Sequence, residues 1–332
     1  MIGWTVRIVG VLAALAIVAL VGGYFYFIAR SHPADPSEAQ ISYDDLTTFI
    51  SVHQEAQAND DTAAVYAAEY FARDSRPVDT YVSMFSMSAE RVAIDAQDRP
   101  ELYARLLADT ADVVATEPKI RAAYEEFKNR YPAAVFPPIY ILYGNFQARA
   151  LIRPYGILFS GEYFIGDDNV SDLTDPHSLN GLMNRPADLA SQVIHELAHI
   201  QQAQKHPLVP FFRGDLLRWT VTEGTADFIA MLITGSHTNQ AAHAFLVGNK
   251  DAKWCAFFEA VESNRGREWL DQSIFAGHPH GIGPAFGYQI VRAYYESGDN
   301  KDAAFTALVE LDDYRRIYEE SGFSARLTTM CS

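Results

Sequence analysis

Residues Ser191 to Gln202 read SQVIHELAHIQQ, with His195 and His199 four apart and Glu196 directly after the first. On a helix, residues four apart share a face, so the two imidazoles aim at one point. Neutral imidazole nitrogens bind divalent ions such as zinc at about 2.0–2.1 Å. A hydrolytic site leaves one coordination position open for water, the ion acidifies that water, and a neighbouring carboxylate can accept its proton. Glu196 stands where that general base belongs. The bland alternative is a core helix with a hydrogen-bonded histidine pair. It would set three polar groups among Val193, Ile194, Leu197, Ala198 and Ile200, which is costly if they lack partners. A single metal ion gives both imidazoles a partner at once.

A catalytic zinc needs a third protein ligand. The next glutamate along the chain is Glu223, in the apolar-periodic segment TVTEGTADFIAML, and Asp227 lies four residues on, one turn away on the same face. Glu223 is the expected third ligand. Asp227 is the expected support, accepting the second N–H of a ligand histidine and fixing its tautomer. Asp215 is possible but has no partner on a matching face. A metzincin would need Gly at 202 and His at 205, where this chain has Gln202 and Lys205; His206 is one residue off.

HELAH (195–199) followed by EGTAD (223–227) resembles the gluzincin, thermolysin-like metallopeptidases, in which a second helix carries the Glu ligand and an acid four residues later. More narrowly, VIHELAHIQQ with TEGTADFIAMLITG, and the C-terminal FGYQIVRAYYESGDNKDAAFTALVELDD and YEESGF, are similar to a bacterial family of uncharacterised, predicted zinc-dependent proteases. The likeness runs from about Ile139 to Phe323. It implies one Zn2+ held by His195, His199 and Glu223, a peptide or protein substrate, and Glu196 as base. It also implies an edge strand along the cleft for substrate backbone, with GILFSGEYFIG (156–166) the candidate. A donor to the tetrahedral oxyanion is needed too. His278, His280 and Tyr288 in GHPHGIGPAFGYQ are candidates, with Tyr288 preferred.

The elements that must position these groups are mostly helical. Helical spacing runs through 39–135, punctuated by Pro77, Pro100, Pro118 and Pro132. PPIYILY (137–143) and GILFSGEYFIG read as strands, and the helical period returns from Ala187. The order predicts an α+β fold with a small antiparallel or mixed sheet. The aspartate-rich loop 166–178 does not match a calcium-binding EF-hand and reads as solvated.

Ahead of the fold, Ile8 to Ala29 is 22 residues without a charge, about 33 Å as a helix, with Tyr24 to Phe27 at the position of an interfacial belt. Aromatics fill the zone where a signal peptide would be cleaved. The reading is an anchor (1–30), a linker (31–38), a helical part (39–135) and a catalytic part (136–332). Taken with the bacterial likeness, it implies a single-pass protein of the inner membrane, in contact with the lipid bilayer. The catalytic part would face the periplasm or the outside. A net charge of −16 without a Lys/Arg block argues against nucleic acid. Cys255 and Cys331 fit neither a zinc finger nor a thioredoxin-type site, and could pair in an oxidising compartment. The competing function is a non-cleaving, zinc-stabilised envelope scaffold or binding protein. Glu196 speaks against it, because a structural zinc needs no base and is closed by a fourth protein ligand.

Overall fold

A computed structural model describes residues 32–166, 183–206, 215–248, 250–263, 269 and 281–331. The apolar run 8–29, the loop 167–182, His278 and His280 lie outside the described residues. Among the described residues no helix is long and apolar enough to cross a membrane.

The fold is mostly helical around one small mixed sheet, as expected for α+β. Helices α1 (Asp44–Gln57), α2 (Thr62–Tyr66), α3 (Arg76–Phe85), α4 (Ala89–Asp98), α5 (Pro100–Val114) and α6 (Glu117–Arg130) come first. Pro77, Pro100 and Pro118 each occupy a first helical turn, where a missing N–H is harmless. Ser75 and Ser88 cap α3 and α4 through their side chains.

The sheet holds β1 (Ile41–Ser42), β2 (Ile139–Leu142), β3 (Ala150–Arg153) and β4 (Gly156–Ser160) in the order β1-β2-β4-β3. β2 runs parallel to β1 and β4, with Ile139 opposite Ile157, while β3 runs antiparallel to β4. This corrects one expectation. β4 is an inner strand, buried along its whole length, and the edges of the sheet are the half-buried β1 and β3. An unbroken apolar run such as GILF signals burial on both faces, the opposite of an edge. The strand also stops at Ser160. Residues Gly161–Phe164 form a 3-10 turn that sends Glu162 into the interior.

There the Glu162 carboxylate accepts hydrogen bonds from the amides of Gly144 (3.0 Å) and Phe146 (2.8 Å). These pin the β2–β3 connection, in which Asn145 and Phe146 both adopt left-handed backbone angles.

The second half contains α7 (Leu189–Lys205), α8 (Leu216–Thr234), α9 (Gln240–Gly248), α10 (Lys250–Glu262), α11 (Ile282–Ser297), α12 (Lys301–Glu310), α13 (Tyr314–Glu320) and α14 (Phe323–Cys331). Two apolar cores organise the chain. The first joins α1, the sheet, α7 and one side of α8 through Ala226, Ile229 and Ala230. The second joins the other side of α8, through Val221 and Phe228, to α9, α10, α11, α13 and α14. α8 is apolar nearly all round because it lies between them. Cys255 and Cys331 form a disulfide that ties α10 to α14. Closing a loop with a sequence separation of 76 stabilises a chain by about 4 kcal/mol on chain-entropy grounds.

Glu162 has a testable consequence. Burial pushes its carboxyl up to about 7, and the amides of Phe146 and Gly144 only partly oppose this. The folded protein therefore holds a proton that the unfolded chain releases near 4.5. Stability from this group is full below about 4.5 and is lost as pH rises through about 7, roughly 3 kcal/mol in all. Urea melts across that range should show the loss. Glu162→Gln, which keeps an oxygen for the two amides, should flatten it. An unchanged pH slope in the variant rules out this assignment.

Candidate metal centre

α7 begins behind Asp188, whose carboxylate takes hydrogen bonds from the Ser236 hydroxyl and from Arg185. From Asp188 to Gln202 every residue is buried except Glu196, which is half-buried. α8 is capped by Asp215, which accepts from the Arg218 amide at 2.8 Å and also takes Tyr314 and Arg315. That capping role disposes of Asp215 as an alternative ligand. Gly235, left-handed at φ 76°, ends the helix.

Where α7 and α8 pack together, three atoms converge. His195 Nε2 lies 3.2 Å from His199 Nε2, and Glu223 Oε2 lies 3.4 and 3.5 Å from the two. Ligand atoms at 2.0–2.1 Å from a tetrahedral zinc are separated by about 3.3–3.4 Å. The two rings lie nearly perpendicular, at 88°, with centroids 4.7 Å apart, so they are not stacked on one another. His195, His199 and Glu223 thus form a group able to hold a metal ion.

The protonation pattern fits the same conclusion. His199 Nδ1 sits 2.9 Å from Gln202 Oε1, an acceptor, so Nδ1 carries the hydrogen and Nε2 presents its lone pair. Lone pairs and a carboxylate cannot face one another unaided; a cation must join them. Without a metal, a proton serves. Burial alone would lower the imidazolium of His199, but the Glu223 charge and hydrogen bond outweigh it and lift the pKa to about 9. Burial likewise opposes the Glu223 carboxylate, yet His199 and His195 hold its carboxyl far below the usual range.

Asp227 is not the support expected of it. Its Oδ1 accepts from the Thr238 amide (3.0 Å) and hydroxyl (2.8 Å), and its Oδ2 from His243 Nε2 (2.5 Å). His195 Nδ1 is buried with no hydrogen-bond partner among the described residues. The outer support is Gln202, three residues after His199 on its own helix, a spacing that the sequence displays.

Asp227, His237 and His243 also bring ligand atoms within 4.8 Å of one another. Here the imidazoles are stacked, with centroids 3.8 Å apart and planes only 24° from parallel. An imidazole lone pair lies in its ring plane, so nearly parallel, stacked rings cannot both point at one nearby ion. This cluster acts instead as a hydrogen-bonded junction between α8, the turn after it and α9. Tyr288, the expected oxyanion donor, packs its ring against His237 and His243, each at 4.7 Å, and against Phe228. Burial raises its phenol pKa.

Two glycines set the position of Glu223. A Cβ on Gly224 would lie 2.1 Å from the Gly287 backbone, and one on Gly287 would lie 1.8 Å from the Thr220 carbonyl oxygen. α8 and α11 therefore touch backbone to backbone, one residue beyond the ligand. This role for EGTAD and FGYQ is invisible without the partner helix.

No family model, no curated protein and no solved structure matches this chain. The geometry of the site carries the functional reading.

The glycine contact is open to test. Gly287→Ala should force the helices apart, cost about 1–3 kcal/mol, and weaken the binding of a divalent metal ion at least about tenfold by displacing Glu223. Gly235→Ala is the control, because its Cβ would meet nothing within 4 Å. It should cost about 1 kcal/mol through φ strain and leave metal-ion affinity alone. Titration with divalent metal ions in competition with a chelating dye measures both. Wild-type affinity in Gly287→Ala would discredit the proposed link.

Proposed function

We propose that this chain is a zinc-dependent hydrolase acting on peptide bonds, as the gluzincin resemblance implies. His195, His199 and Glu223 hold the ion. The observation that carries the reading is their tetrahedral spacing, next to the single half-buried residue on an otherwise buried stretch of helix, Glu196.

When bound, the ion supplies a Lewis acid toward a carbonyl oxygen and acidifies water. The protein does the rest. Glu196 takes the proton of the attacking water and returns it to the leaving amine. Gln202 holds His199 in the tautomer that offers Nε2. Edge strand β3, beside α7, has backbone groups available to align an extended substrate. Tyr288 is the proposed donor to the developing oxyanion. The proposal includes a single-pass membrane anchor with the hydrolase on an oxidising face. Its support is the apolar run 8–29 and the Cys255–Cys331 disulfide.

Glu196→Gln separates this from a zinc-stabilised scaffold. The variant should keep one zinc per chain and lose turnover of a fluorogenic peptide library by at least about 100-fold. Zinc retained with no turnover in the wild type would favour the scaffold instead.

A further inference from the structure

Gln192 is a buried polar residue of α7 that the assigned chemistry leaves unused. It lies three residues before His195, as Gln202 lies three residues after His199, so the helix reads Gln-x-x-His-Glu-x-x-His-x-x-Gln. At helical spacing residues 192, 195, 199 and 202 share one face. Each glutamine therefore stands one turn from a ligand histidine. Gln202 supports its neighbour directly: its Oε1 accepts from His199 Nδ1 at 2.9 Å.

At the other end both halves of such a bond are present. His195 Nε2 faces the point shared with His199 and Glu223, so its lone pair lies there and Nδ1 carries the hydrogen. That N–H is buried and has no acceptor among the described residues. Gln192 is wholly buried, and its amide is oriented from outside α7. Nε2 donates to Thr238 O at 2.9 Å. A carbonyl oxygen only accepts, so the NH2 group must face Thr238 and Oε1 is the atom left over. Oε1 is buried and has no donor among the described residues. A donor lacking an acceptor and an acceptor lacking a donor thus belong to residues one turn apart on one buried face. Each is costly alone, and each is the complement of the other.

Thr238 is held in turn from α8. Its amide and hydroxyl donate to Asp227 Oδ1 at 3.0 and 2.8 Å, and Asp227 is one turn from Glu223. The helix that carries the third ligand therefore sets the turn that orients Gln192. Ser191 anchors the same turn in parallel, its hydroxyl donating to Ser236 O at 2.7 Å.

We infer that Gln192 is a positioning residue for His195: in the metal-bound protein its Oε1 accepts the Nδ1–H of His195 and locks the ring with Nε2 toward the ion. This rests on the metal-site reading above. Asp227 then acts on the site through Thr238 and Gln192, without touching either ligand histidine.

The test uses the full chain with 15N-labelled histidine. Zinc affinity is read by competition with a chelating dye, and imidazole N–H protons by NMR of the zinc-loaded protein. An imidazole N–H that is hydrogen-bonded and buried resonates downfield and exchanges slowly. One such proton should vanish in Gln202→Met and a different one in Gln192→Met, each variant losing at least about tenfold in zinc affinity. Gln192→Glu keeps an acceptor while giving up the amide N–H that holds Thr238. It should retain the second proton and bind zinc within about threefold of wild type. Ser191→Ala cuts the parallel anchor of the turn and should leave the protons in place and affinity within about twofold. Wild-type affinity and an unchanged set of protons in Gln192→Met overturn the inference alone. So do equal losses in Gln192→Met and Ser191→Ala, which would reduce Gln192 to an anchor of the turn. If Gln192→Met fails to fold by circular dichroism, Gln192→Glu decides: a folded variant without the second proton overturns the inference. A wild type that binds no zinc overturns the metal-site reading and the inference with it.

Discussion

Three groups whose lone pairs would repel one another without a shared proton or metal ion are held within 3.2–3.5 Å: two imidazole nitrogens and a carboxylate oxygen. Packing forces them together, and a cation is what makes the arrangement tolerable. α7 supplies two of them at helical spacing, and α8 supplies the third from a sequence position far downstream. α8 can sit so close because both its sides are buried, one in each core, and because Gly224 and Gly287 let α11 press it from behind. A loosened core or a swollen crossing would let the carboxylate drift out of bonding reach, a matter of less than an ångström.

The small sheet serves this centre from the other side. β4 is its buried spine, so β3 is left on the edge beside α7. The loop before β3 is fixed by a buried carboxylate and three hydroxyls. The group of His195, His199 and Glu223 thus lies where α7 meets α8, and edge strand β3 packs against α7 as well. The Asp227 junction with Thr238 and His243 occupies a third position, where it fixes the exit of α8 and the imidazoles against which Tyr288 rests.

Much of the centre is legible in residue order. His195, Glu196 and His199 announce themselves through helix periodicity, and Glu223 through its place on a second apolar helix. The prolines mark helix starts, and an α+β order is visible in the change of texture at Phe136. Other features are not legible, for identifiable reasons. The register of a mixed sheet depends on partners distant in sequence, so β4 reads as an edge until β3 is seen outside it. Asp227 lies one turn from the ligand, but its side chain finds the nearer donors Thr238 and His243. Gly224 and Gly287 are ordinary helix glycines until their helices meet.

The most direct measurement is anomalous diffraction at the zinc edge from crystals of the full chain grown with zinc. The expected result is one strong peak about 2.0–2.2 Å from His195 Nε2, His199 Nε2 and Glu223 Oε2. A peak seated at His237 and His243, or no ordered peak between α7 and α8, would contradict the arrangement on which the whole site depends.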